Sequence, residues 1–294
     1  MNPIYLPQFP HLVVLAITTL TAQASIPQWD AARKSYDEGQ FATATGLYLD
    51  ISEKENSRGK TEALLLATRS AARQGDSEKT RSIAERIPAG PHAEFAKMVA
   101  LKSSKSWVEL LAVADQTIVE TWPEKLIYPA LLMRGDAYIQ LTDYAAATRA
   151  FATAQNYTIS PSTAARAALF EGGAAQKAGV TPDKLLAIYQ KIIDLAPRGG
   201  GLLPRAHMAR ARLLAEQGNE AKAMNEVKAM HVFRERDPFW IVPVELTTAQ
   251  VYEALGALDS AKKHYDNVIA SAEPPADLLS EARAGSARVD RTSR

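Results

Sequence analysis

The residues that could do chemistry are scattered. Histidine occurs at His11, His92, His207, His231 and His264, each in its own segment, and no His-Glu-x-x-His pair is present. The helix-borne zinc site that such a pair builds is therefore missing, and each histidine reads as a surface or half-buried side chain. Ser57-Arg-Gly-Lys60 matches a Ser-x-x-Lys nucleophile pattern in form, without the companion motifs that such chemistry needs. Gly199-Gly-Gly201 has no preceding strand and no following Gly-Lys-Ser/Thr, so it reads as a connector and not as a phosphate loop. Gly172-Gly173 falls inside a helical pattern, where small residues permit close packing. Acidic residues are mostly single and interleaved with Lys and Arg at helical spacing, which is the pattern of a solvated helix face. No loop has the alternating ligand spacing of a calcium site. With no cysteine, thiolate nucleophiles, disulfides and cysteine-ligated metals are excluded together. The sequence thus predicts no catalytic residue, no metal site and no cofactor.

What remains to be explained is the scaffold. Of the 294 residues, 47% are hydrophobic, ample for a core, while Ala, Leu, Glu, Lys, Arg and Gln predominate and favour helix. Stretches of β-branched and aromatic residues bounded by turn signals are lacking, so the expected class is all-α. Thirty-four basic against 33 acidic residues leave a net charge of +1, and that balance argues against a nucleic-acid partner.

Residues 1–29 carry no charged side chain other than His11, and Leu12-Val-Val-Leu-Ala-Ile-Thr-Thr-Leu20 is a short apolar run. It is well under the ~20 residues needed to span a bilayer. The small-x-small pattern of Ala22 and Ala24 follows it, so residues 1–24 read as a signal peptide cleaved after Ala24. The region before the run departs from the usual pattern, having no Lys or Arg and three prolines. The expectation is an exported mature chain from Ser25, periplasmic or secreted, with no stable membrane anchor.

Internal repetition organises the rest. Gly135, Tyr138, Thr142, Tyr144, Ala147, Phe151 and Ala154 recur at the same offsets as Ala249, Tyr252, Gly256, Leu258, Ala261, Tyr265 and Val268. Tyr36, Gly39, Phe41, Ala44, Tyr48 and Ile51 fit the same frame, with the first tyrosine one place late. Looser units centre on Gly75, Gly179 and Gly218, and a degenerate one on Ser104–Ser106. The predicted turns fall near residues 39, 75, 105, 142, 179, 218 and 256, a period of 30 to 39. Within each unit, helical apolar spacing stops at the turn and then resumes. Gly135 and Ala147 are small where two helices approach to roughly 8–10 Å. Pro129 and Pro243 are expected in the first turn of a leading helix, where a missing N–H costs nothing.

This pattern resembles the tetratricopeptide repeat, a helix–turn–helix unit. The resemblance covers nearly everything after residue 24. It implies a right-handed α-solenoid of about seven antiparallel hairpins over residues 25–289, then a capping helix near Ala276–Arg288 and a frayed tail at 290–294. It also implies that the leading helices face a partner. Carried over by frame, the partner-facing positions are Trp29, Arg33 and Tyr36, then Leu65, Arg69 and Arg73, then Phe95 and Lys102. They continue with Leu132, Asp136, Ile139 and Gln140, then Met208, Arg212, Glu216, Gln250 and Glu253. The amino-terminal part of this set is basic and aromatic, suited to a peptide with acidic groups or a free carboxylate. The asparagines that a carboxylate clamp would need beside its lysines are not there.

Two aromatic stretches, Thr121–Pro129 and Arg236–Pro243, read as connectors that staple the incoming chain to the next helix. The function expected is a non-enzymatic scaffold of the cell envelope that binds a protein or peptide. The alternatives are a helical-toroid enzyme acting on cell-wall glycans, which needs two carboxylates about 5–9.5 Å apart across a cleft, and a homo-oligomerising structural module.

Overall fold

The computed structural model describes residues 24–117, 122–158, 160–198 and 200–293. The expected signal peptide, apart from Ala24, lies outside the described residues. Fifteen α-helices and two short 3-10 turns make up the regular structure among the described residues, with no strand among them. The fold is an all-α helical repeat.

Leading and trailing helices alternate along the chain. α1 (Ile26–Asp37) is followed by α2 (Phe41–Lys54), α3 (Ser57–Gln74) by α4 (Ser77–Ala84), and α5 (Pro91–Ser103) by α6 (Trp107–Thr117). Then come α7 (Glu124–Gln140) with α8 (Tyr144–Ala154), and α9 (Pro161–Lys177) with α10 (Pro182–Leu195). α11 (Leu202–Glu216) precedes α12 (Glu220–Arg236), α13 (Ile241–Ala254) precedes α14 (Leu258–Ile269), and α15 (Ala276–Thr292) closes the series.

Each of the seven expected turns contains one residue in the left-handed region. These are Gly39, Gly75, Lys105, Thr142, Gly179, Gly218 and Gly256, with φ between 58° and 85°. Glycine suits five of the seven because it has no Cβ to clash there. A cap follows directly in three hairpins. Asp76, Asp143 and Asn219 accept hydrogen bonds from the backbone N–H of Lys79, Ala146 and Lys222. The turn therefore ends one helix and starts the next within two residues.

The chain divides into two compact units at residue 96, inside α5. In the first, α2 packs against α1 and α3, and α3 against α4. Tyr48 and Ile51 of α2 and Leu64 of α3 are fully enclosed. In the second unit, successive helices from α6 to α11 pack in chain order, as do those from α11 to α15. The leading helices α9, α11, α13 and α15 also lie side by side, each touching the next.

Close approach is set by residue size. A Cβ on Gly135 would stand 2.4 Å from the ring of Phe151, and one on Gly285 would stand 2.3 Å from the ring of Tyr265. The aromatic of the trailing helix thus lies flush on a leading helix, and burying such a ring contributes about 1.5–3 kcal/mol.

Three expectations need correction. α7 begins at Glu124, so Pro129 stands inside the helix and not in its first turn. Burial of Leu126, Ile127 and Ala130 holds the extra turn in place and overrides the lost hydrogen bond. Pro243, in contrast, does lie in the first turn of α13. The Thr121–Pro129 stretch is mostly helix rather than connector, with Trp122 buried at its start. Finally, α15 runs to Thr292, so most of the tail expected to fray is helical. Val289 is buried and Lys262 holds Asp290 at 3.0 Å, which ties that last turn down. Among the described residues, no helix is long and apolar enough to cross a membrane.

Candidate functional site

The positions carried over by frame separate into three groups. Phe95, Leu65 and Met208 are 2%, 4% and 8% exposed, so they are core residues. Each stands ten residues before the left-handed residue of its turn, a position that faces inward. Leu132 and Ile139 are partly buried against Phe151 and Ala147, and are also packing residues.

A second group is engaged in local contacts. Trp29 donates from Nε1 to Glu55 at 3.1 Å, with its ring 6.2 Å from that of Tyr48. Tyr36 sets its ring edge-on to Phe41 at 5.4 Å. Burial raises the pKa of the Tyr48 hydroxyl, and the positive charges of Arg33 and Arg69 oppose that shift. Arg33 makes a long contact of 3.9 Å with Asp30, while Arg69 and Arg73 are exposed on α3. In the second unit, Lys102 of α5 is ion-paired with Asp136 of α7, so these two expected contact residues satisfy one another. Gln140 is exposed at the end of α7.

The third group builds a groove. Where α9, α11, α13 and α15 lie side by side, they leave a recess of about 450 Å³. Arg212 and Glu216 line it from α11, Gln250 and Glu253 from α13, and Glu281 and Arg288 from α15, with Gln176 at the α9 end. Four of these, Arg212, Glu216, Gln250 and Glu253, are positions that the repeat frame predicted. A polar ladder crosses the helices. Arg212 donates to Gln250 Oε1 at 3.2 Å, and the Gln250 amide donates to Glu281 at 2.6 Å. Arg288 donates two bonds to Glu253, at 2.9 and 3.0 Å, and the Tyr265 hydroxyl donates to the same carboxylate. The Arg288 guanidinium holds the Glu253 carboxyl below the usual range, and burial with the Glu253 charge pushes the Tyr265 hydroxyl well up.

The connectors divide as well. Trp240 is buried among Met208, Val244 and Val251 and acts as the expected staple, whereas its neighbour Phe239 is exposed.

Sequence reading missed two buried carboxylates away from the groove. Glu226 of α12, 9% exposed, accepts from Arg210 at 2.8 Å and contacts His207 Nδ1 at 2.6 Å. Glu245 of α13, 6% exposed, is ion-paired with Arg234, contacts His264 Nδ1 at 2.8 Å and accepts from Asn267 at 3.1 Å. Burial opposes ionisation at both, but the hydrogen bonds and the nearby positive charges prevail, so both carboxyls are held below their usual range. The available signal was spacing, since each histidine stands 19 residues from its glutamate. Among the described residues, no group of three or more His, Cys, Asp or Glu is placed to hold a metal ion.

Hairpins stacked in chain order, with a groove across their leading helices, define a helical-repeat protein. The apo structure of RapI matches with a TM-score of 0.69 at 12% identity, covering 90% of this chain and 84% of that one. The C-terminal part of a TPR repeat-containing protein from Cytophaga hutchinsonii matches at 0.57 and 10% identity, covering 86% of this chain and 98% of its own. A tetratricopeptide repeat protein from Parabacteroides merdae matches at 0.52 and 18% identity, covering 88% and 97% respectively. The chain has the tetratricopeptide-repeat fold. No family model and no curated protein matches the sequence.

Proposed function

We propose that this chain is a non-enzymatic scaffold that takes up a protein or an extended peptide on the face of its leading helices. The observation that carries this reading is the groove itself. Side chains from four helices far apart in sequence converge on one polar recess of about 450 Å³, within the size range of ligand sites. An inert spacer needs no such convergence. Glu253, held low by Arg288, does not suit the general-acid role that glycan hydrolysis requires. The exposed Arg69 and Arg73 of α3 offer a separate contact in the first unit, suited to acidic groups. The apolar run and the Ala22/Ala24 pattern support an envelope location.

Photocrosslinking in the native cell tests the reading. A photoreactive side chain at Gln250, in the groove, is expected to yield a partner adduct. The same group at Lys263, exposed on the trailing helix α14, is expected to yield none. Adducts only from Lys263 would overturn the proposal, and a product of twice the chain mass would point to self-association instead.

A further inference from the structure

The groove's own hydrogen bonds say which ligand charge it suits, and this step rests on the reading of the groove as the binding face. Arg288 is committed through two bonds to Glu253, which is also the acceptor for Tyr265. Arg212 is tied to Gln250, whose amide is spent on Glu281. Arg212 keeps N–H groups to spare beyond that one bond, but the Arg288 fork is fully engaged.

The acceptors are not. Among the described residues Glu216 has no hydrogen-bond or ion-pair partner, and Glu281 receives a single amide. Two arginines against three glutamates leave the lining with a net charge of −1, in a chain whose total is +1. Glu216 belongs to α11 and Glu281 to α15, with α13 between them. The two spare carboxylates therefore stand on opposite walls of one recess.

We infer that the groove recognises a basic segment, an extended peptide whose lysine or arginine side chains are received by Glu216 on one wall and Glu281 on the other. An ammonium or guanidinium there meets an acceptor without displacing any existing pair, whereas an incoming carboxylate would find Arg212 alone without an ion pair, in a lining of net negative charge.

The test uses the full chain and two fluorescein-labelled ten-residue peptides, one of alternating Lys and Ser, the other of alternating Glu and Ser, followed by anisotropy. The Lys peptide is expected to bind, and more weakly as salt is raised. Glu216→Gln and Glu281→Gln are each expected to weaken it about tenfold. The control pair Glu109→Gln with Glu220→Gln, both exposed outside the groove, is expected to leave it unchanged. Equal loss in the control pair, preference for the Glu peptide, or no binding of either at low salt would overturn the inference. If crosslinks still arise from Gln250 in that case, only the charge preference falls. If they do not, the groove proposal itself falls.

Discussion

At Glu171 on α9, one amide from Gln155 donates at 2.6 Å, and burial raises the carboxyl's pKa despite that bond. At Glu245, three partners outweigh burial and lower it. The two sites therefore respond to pH with opposite sign. For Glu171 the folded value lies above the unfolded one, so its contribution is fully present in acid and is lost as pH rises through the folded value. Gln155 Oε1 is buried with no donor, which also favours a neutral side chain at 171. Glu171→Gln is expected to raise the melting temperature at pH 7 by about 2–4 °C, with the gain gone near pH 4. For Glu245 and Glu226 the contribution is present above the unfolded value, about 4.3, and is lost as pH falls through the lower folded values. Glu245→Ala removes the carboxylate shared by Arg234, His264 and Asn267, the first two of which are part-exposed groups that water can still reach, and urea unfolding at pH 7 should show a loss of about 1–3 kcal/mol.

At the scale of the element, the turns are where sequence and structure agree most closely. The reason is steric: a left-handed residue between two helices selects for glycine, so the letter reports the geometry. Lys105 and Thr142 occupy the same position with φ of 58° and 62° but carry a Cβ. That conformation costs an L-residue roughly 1–2 kcal/mol, part of which glycine gives back as greater chain entropy in the unfolded state. Lys105→Gly and Thr142→Gly should each stabilise by about 0.5–1 kcal/mol in chemical denaturation, while Thr142→Val, β-branched but without the hydroxyl, should not. The groove was legible in part. Gln250 and Glu253 follow from the frame because the seventh unit keeps its small, aromatic and turn residues in register, and Arg212 and Glu216 of the looser sixth unit fall at exposed positions of α11. Leu65 and Phe95 did not, because their position, ten residues before the left-handed residue of the turn, faces the core, as it does for Leu132 and Met208. The pairing of His207 with Glu226 left only the repeated 19-residue spacing as its trace, because contact depends on which faces of two helices meet.

For the second unit as a whole, α15 is a cover. Tyr265 and Val268 of α14 are fully buried, and Ala282 and Val289 of α15 share their cluster. Its outer side carries Arg283, Ala287 and Arg291, all exposed. In an array of stacked repeats each module depends on its neighbour to bury its apolar face. Deleting residues 276–294 is expected to expose Tyr265 and lower the unit's thermal midpoint, with added binding of a hydrophobic dye. An unchanged midpoint would show that α14 is covered in some other way.

The buried pairs of the last two hairpins have a consequence for how the array keeps its order. His207 and Glu245 occupy corresponding places on α11 and α13, and Glu226 and His264 correspond on α12 and α14, so the partners have changed sides from one module to its neighbour. If α11 paired by mistake with α14, imidazole would meet imidazole; if α13 paired with α12 in that manner, carboxylate would meet carboxylate, buried and repelling. Look-alike modules are prone to such exchange. Reversing the polarity of one shared contact makes each hairpin recognise its own second half, a lock-and-key rule written into the interior of a fold whose exterior looks interchangeable.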